Sequence, residues 1–156
     1  MKKGQFLIES WVALSILIVG FLGIFSLLSR SLSLNNVVAS QYLASNLAAE
    51  GIEVVKNLID ANSLQSRPWN QGISVGSYEV SYNSLGLDAN DDRFLRLDSD
   101  TNVYNYQTGS ATPFKRLVEI QNIAADEIKV KSTVTWKSRG GSYSVVLEDY
   151  FFNWQQ

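Results

Sequence analysis

Two acidic segments and one isolated glutamate hold most of the chemical options of this chain. Asp88-Ala-Asn90-Asp-Asp92 and Asp98-Ser-Asp100-Thr-Asn102 each place side-chain oxygens at alternate positions, the spacing with which calcium loops gather ligands. Both lack the glycine and the closing glutamate of an EF-hand. The same residues therefore also fit solvated turns, in which Asp and Asn side chains bond nearby backbone. A calcium site would use Asp88, Asn90, Asp92, Asp98 and Asp100; no other cofactor is expected. Paired carboxylates are also the machinery of glycosidases, but these lie in short polar stretches with no sign of a pocket, so an enzyme is not expected. The 156 residues include no histidine and no cysteine. Thiol nucleophiles, disulfides, Cys/His zinc sites and histidine-based triads are thereby excluded. A formal charge of −2 offers no basic face for phosphates, so nucleic acid is not an expected partner.

The third group, Glu9, stands at the mouth of a run without charge from Ser10 to Ser29. About 20 apolar residues in a helix rise roughly 30 Å, the thickness of a bilayer's hydrocarbon. The rest of the chain is too polar to wrap such a helix on all sides, so a membrane span is expected, with lipid as its first partner. Lys2 and Lys3 precede it and Arg30 follows. The balance of basic residues predicts a single pass with the N-terminus inside the cytoplasmic membrane and the remainder exported. A cleaved secretory signal is the rival reading, but the run is long for one and no convincing small-residue cut site follows. A carboxylate costs about 2.5–3.5 kcal/mol at mid-membrane and less near the edge, so Glu9 calls for a partner.

No proline occurs before Pro68, and the helix is expected to continue to Asp60, about 84 Å from Gln5 at 1.5 Å per residue. Asn46, Glu50, Glu53, Asn57 and Asp60 share one face; Leu43, Leu47, Gly51, Val54, Val55 and Leu58 share the other. Gly20 and Gly23 are its weakest points. Residues 61–72 are rich in breakers and predict a linker. Beyond them the period becomes two. Ile128, Val130, Val134 and Trp136 point one way, and Lys129, Lys131, Thr133 and Thr135 the other. Residues 143–154 predict a second strand, joined to the first by a turn at Arg139-Gly140-Gly141-Ser142. Further strands are expected at 114–123 and 78–82, with weaker ones at 94–97 and 103–106; residues 109–113 read as loop. Tyr150, Phe151, Phe152 and Trp154 fit core better than an exposed patch. The fold class is α+β: a long N-terminal helix, half membrane segment and half amphipathic, on a small antiparallel sheet.

That outline resembles the type IV pilins, and the first residues make the resemblance specific. Lys2-Lys3-Gly4 followed by Gln5-Phe6-Leu7-Ile8-Glu9 is similar to that family's cleavage and methylation motif. The continuation Glu9-Ser-Trp-Val-Ala-Leu-Ser-Ile-Leu-Ile-Val-Gly20 resembles the branch of minor pilin PilV and type II secretion pseudopilin I. The resemblance implies a prepilin peptidase that cuts between Gly4 and Gln5 and methylates the new amine. It also implies other pilin or pseudopilin subunits and an inner-membrane assembly platform as partners. The domains are then a leader at 1–4, a membrane and filament-core helix at 5–34, an amphipathic helix at 35–60, a linker at 61–72 and an exported β-domain at 73–156. Glu9 becomes an assembly residue, pairing in low dielectric with a neighbouring subunit's N-terminal amine. Gln5 departs from the usual phenylalanine or methionine. A membrane half without proline and a chain without cysteines imply a minor pilin or pseudopilin. The function expected is a structural subunit of a pilus-like or secretion-like filament. The alternative from another class is a non-polymerising single-span membrane protein with an exported ligand-binding β-domain.

Overall fold

The computed structural model describes residues 3–138 and 140–153. The chain forms two compact units, residues 1–39 and residues 40–156. Helix α1, Lys3–Leu64, supplies the whole of the described first unit and the opening of the second. Neither Gly20 nor Gly23 interrupts it, and it continues past Asp60 to Leu64, so the expected linker shortens from its N-terminal side. Its end is a Schellman arrangement without glycine. Arg67 N–H bonds Asn62 O at 2.9 Å and Ser66 N–H bonds Ser63 O at 3.1 Å, with Ser66 left-handed at φ 53°. Pro68 then forbids further helix. The Asn62 amide reaches forward to the carbonyls of Trp69 (3.2 Å) and Gln71 (2.8 Å), which ties the following segment to the helix.

The second unit holds β1 (Gly76–Glu79), β2 (Asp88–Ala89), β3 (Arg96–Leu97), β4 (Tyr104–Asn105), β5 (Ser110–Ala111), β6 (Phe114–Ala124), β7 (Glu127–Ser138) and β8 (Gly141–Phe152). Five form an antiparallel sheet in the order β2-β1-β6-β7-β8; β4-β3-β5 form a small second sheet. The three long strands lie close to their expected places, because their alternation is long enough to define a face. Two short ones differ: β5 falls inside the segment read as loop, and β2 inside the first acidic segment. The turn between β7 and β8 has Gly140 at φ 82°, where a side chain would be strained. Arg139 of that turn lies outside the described residues, as do Met1, Lys2 and Trp154.

The second half of α1 packs on the inner face of β6 and β7, giving the α+β architecture expected. Ala44, Leu47 and Ala48 meet Leu95, Phe114, Val134 and Trp136 in one apolar cluster. Val54, Val55 and Ile59 meet Val80, Val118, Ile120, Ile128 and Val130 in the other. Each fully buried aliphatic side chain contributes about 1.5–3 kcal/mol. The stripe is rotated slightly from the one expected: Leu43 and Leu58 are only half-buried, while Ala44, Ala48 and Ile59 go deep. Alanine hardly registers in a hydrophobic pattern, yet it allows the helix to sit low on the sheet. The aromatic cluster of β8 is divided between two faces. Tyr150 and Phe152 are exposed and Phe151 packs against the core, because successive residues of a strand point to opposite faces and the core lies on one of them.

Candidate functional site

Gly4 and Gln5 lie in the first turns of α1. Glu9 follows on the same helix and is exposed. From Leu7 to Leu28 every large apolar side chain is exposed, from 49% at Ile18 to 73% at Trp11, on all sides of the helix. Little within this stretch holds it besides its own turns, such as the Ser15 hydroxyl on Trp11 O at 2.8 Å and the tilted Phe21–Phe25 ring pair. Among the described residues α1 is the one helix long and apolar enough to cross a membrane. Covering that surface is worth on the order of tens of kcal/mol. Glu9 is the sole charged group from Leu7 to Ser29, so a covering medium has one carboxylate to neutralise.

Asn90, Asp92 and Asp98 of the acidic segments find side-chain partners within the protein. Asp98 shapes a turn: its carboxylate accepts the Thr108 hydroxyl at 2.8 Å and the N–H groups of Asp100 (2.9 Å) and Thr101 (3.2 Å). These bonds, the Thr108 hydroxyl first, hold its pKa below the ordinary 3.8. Asp92 pairs with Lys115, and the Asn90 side chain accepts Asp92 N–H at 3.2 Å. Asp88 sits in β2, where its backbone lies opposite Glu79 of β1 in the strand register. Among the described residues no three acidic groups gather into a cluster suited to a metal ion.

Two charged residues that the sequence reading passed over are the most deeply placed. Glu79, 1% exposed, accepts the N–H groups of Asp91 (3.2 Å) and Arg93 (2.7 Å) and the Arg93 guanidinium at 2.6 Å. It fixes the 91–93 loop. Arg116 has no exposed side-chain surface: Nη1 donates to Leu47 O at 2.9 Å and meets Glu50 at 3.1 Å, and Nη2 donates to Val80 O. A signal for Arg116 was present. Phe114, Val118 and Ile120 alternate inward along β6, and the same period turns position 116 to the core. Glu79 gave no such signal, since the N–H groups that donate to it lie in a loop 12 and 14 residues on. Comparison of the chain with protein-family models, with curated proteins and with solved structures found no match.

Proposed function

We propose that this chain is a structural subunit, a minor pilin or pseudopilin, of a filament of the type IV pilus or type II secretion kind. The observation that supports it most is the first half of α1, apolar on every side, uncovered, and marked by one carboxylate near its start. Such a surface suits two successive environments: lipid before assembly and the packed helices of other subunits after it. In this reading a prepilin peptidase cuts after Gly4, and Lys2 and Lys3 leave with the leader. The formal side-chain charge then falls from −2 to −4. The helix holds the subunit in the cytoplasmic membrane, N-terminus inside, until an assembly platform draws it into the filament. Glu9 pairs with the terminal amine of a neighbouring subunit and so sets axial register, because a lone charge among apolar helices is strongly disfavoured.

The test is Glu9→Val, with sheared filaments and membranes assayed side by side. Cleavage, insertion and the folded sheet domain should be unchanged, while the variant should be depleted from the sheared fraction. A non-polymerising single-span protein predicts no difference, and equal partition of the two proteins would overturn the assembly role. Intact mass of the filament-associated chain should begin at Gln5; an intact Met1 there would rule out the processing step.

A further inference from the structure

The two edges of the five-stranded sheet are unequal. β2 is two residues long, whereas β8 runs for 12 residues and has no strand on its outer side. Edge strands are usually guarded by proline, lysine, a bulge or a covering segment, because an open row of backbone groups invites another strand. β8 contains no proline and no basic residue, and it pairs with β7 along its whole length without a register shift. Residues 141–147 carry no charge. Ser142, Ser144, Val146 and Glu148 are all exposed. The parity of the ladder fixes which groups face outward. Ser138 and Gly141 flank a two-residue turn and form the first hydrogen-bonded pair of the hairpin. Odd-numbered residues of β8 are therefore bonded to β7, and even-numbered ones turn N–H and C=O away from it. Tyr150 agrees, since its N–H is taken by the Asp149 carboxylate at 2.8 Å. Ser142, Ser144, Val146 and Glu148 thus each present one donor and one acceptor, about 7 Å apart along the strand. An extended strand repeats its own groups at that spacing, whereas a helix has already bonded them internally.

Side chains narrow the occupant. Tyr143, Val145, Leu147 and Asp149 lie on the helix-side face, opposite the buried Trp136, Val134, Ser132 and Val130 of β7. Val145 and Leu147 are half-buried against the cluster of Leu47 and Ala48, so an added strand would continue that apolar face. Asp149 ends the row with an exposed carboxylate. The complement is a strand apolar at alternate positions and basic where it meets Asp149. A second copy fits poorly. Antiparallel pairing of β8 with itself turns the copy about the sheet normal and reverses its α1, so two chains with their apolar halves in one membrane cannot meet that way. Parallel pairing sets Glu148 and Asp149 beside their own equivalents. We propose that β8 is an acceptor for strand addition. Its occupant is an extended segment of a different protein, antiparallel over residues 142–150, with alternate apolar residues and a lysine or arginine opposite Asp149. The proposal does not rest on the filament reading, because the edge belongs to the compact unit of residues 40–156.

The experiment titrates the full chain, in dodecylmaltoside micelles, with the end-blocked peptide Thr-Lys-Thr-Val-Thr-Val-Thr-Val-Thr, whose lysine comes opposite Asp149. Calorimetry should show binding at or below millimolar concentration. In this register the amides of the fifth and seventh peptide residues bond β8, and those of the fourth and sixth point away. N-methylation of the fifth and seventh should weaken binding at least about tenfold, and of the fourth and sixth much less. Glutamate in place of the peptide's lysine should weaken binding about threefold, and Asp149→Lys should reverse that order. Val146→Pro removes an outward donor without touching the β7 ladder, and should also weaken binding at least about tenfold. The methylation arms use the unaltered chain, so they decide the matter even should Val146→Pro fail to fold. The proposal is overturned by no binding at millimolar concentration, by equal effects of the two methylation patterns, or by binding indifferent to Val146→Pro. It is overturned equally by a charge order that Asp149→Lys leaves unchanged. A concentration-dependent dimer of the full chain that Val146→Pro abolishes would make a second copy the occupant instead.

Discussion

A guanidinium without exposed surface must find its acceptors inside the protein, and Arg116 finds them on α1 and on the backbone after β1. Its counter-charge, Glu50, is 29% exposed, so the two partners are not equivalent. Glu50→Gln leaves a buried cation without its anion and should cost about 3 kcal/mol. Arg116→Met removes the buried charge, keeps the volume, and leaves a carboxylate that water can reach, so it should cost less. Chemical denaturation of both variants checks the order, and the reverse order would show that the hydrogen bonds to Leu47 and Val80 outweigh the ion pair. Asp98 gives a pH dependence of definite sign. Its folded pKa lies below its unfolded one, so its contribution is present above the unfolded value and is lost as pH falls through the folded one. The 98–108 turn should therefore hold down to about pH 5 and loosen below the usual carboxylate range. Amide exchange at Asp100 and Thr101, whose N–H groups the Asp98 carboxylate accepts, should follow that course, and Asp98→Asn should abolish the acid step.

At the scale of elements, the closeness of α1 to β7 rests on one missing side chain. A Cβ on Gly51 would lie 2.6 Å from Ser132 Oγ and 3.1 Å from both Arg116 Cδ and Val118 Cγ2. Gly51 and Ser132, with Arg116, form a narrow polar waist between the two apolar clusters. Gly51→Ala gains about 1 kcal/mol of helix propensity but forces overpacking that costs about 1–3 kcal/mol. Net destabilisation is expected, since three neighbouring side chains and not one must give way. Ser132→Ala should be close to neutral, because its buried hydroxyl has no hydrogen-bond partner. In the double variant it should recover part of the Gly51→Ala loss. Melting temperatures of the four proteins form the cycle, and strict additivity would remove the proposed contact.

For the whole molecule, the sheet depends on its helical cover. A chain beginning at Gln65 lacks Ala44, Leu47, Ala48, Val54, Val55 and Ile59, which complete both apolar clusters. It should show no cooperative melt by circular dichroism. A chain beginning at Arg30 keeps the compact unit of residues 40–156 and should melt cooperatively, as a monomer with both helix and strand signals. A cooperative transition in the shorter chain would refute this account of the packing.

The uncharged run to Ser29, the absence of proline before Pro68 and the alternation through Trp136 were enough to specify a long helix, an apolar segment of membrane length and a sheet of long antiparallel strands. Those features are local. A period is written in consecutive residues, and its meaning does not depend on the partner. The two-residue strands β2 and β5 carry no period at all, because a pair of residues cannot define a face. Glycine at 51 could be placed on the buried face, but not opposite Ser132. Arg116 could be turned inward, but its acceptor at Leu47 lies 69 positions away. An open groove beside Phe94 and Lys115 draws on loops and three strands at once. Sequence spacing decides which residues share a surface; only the folded chain decides what that surface meets, because non-local contacts are chosen by packing and charge together.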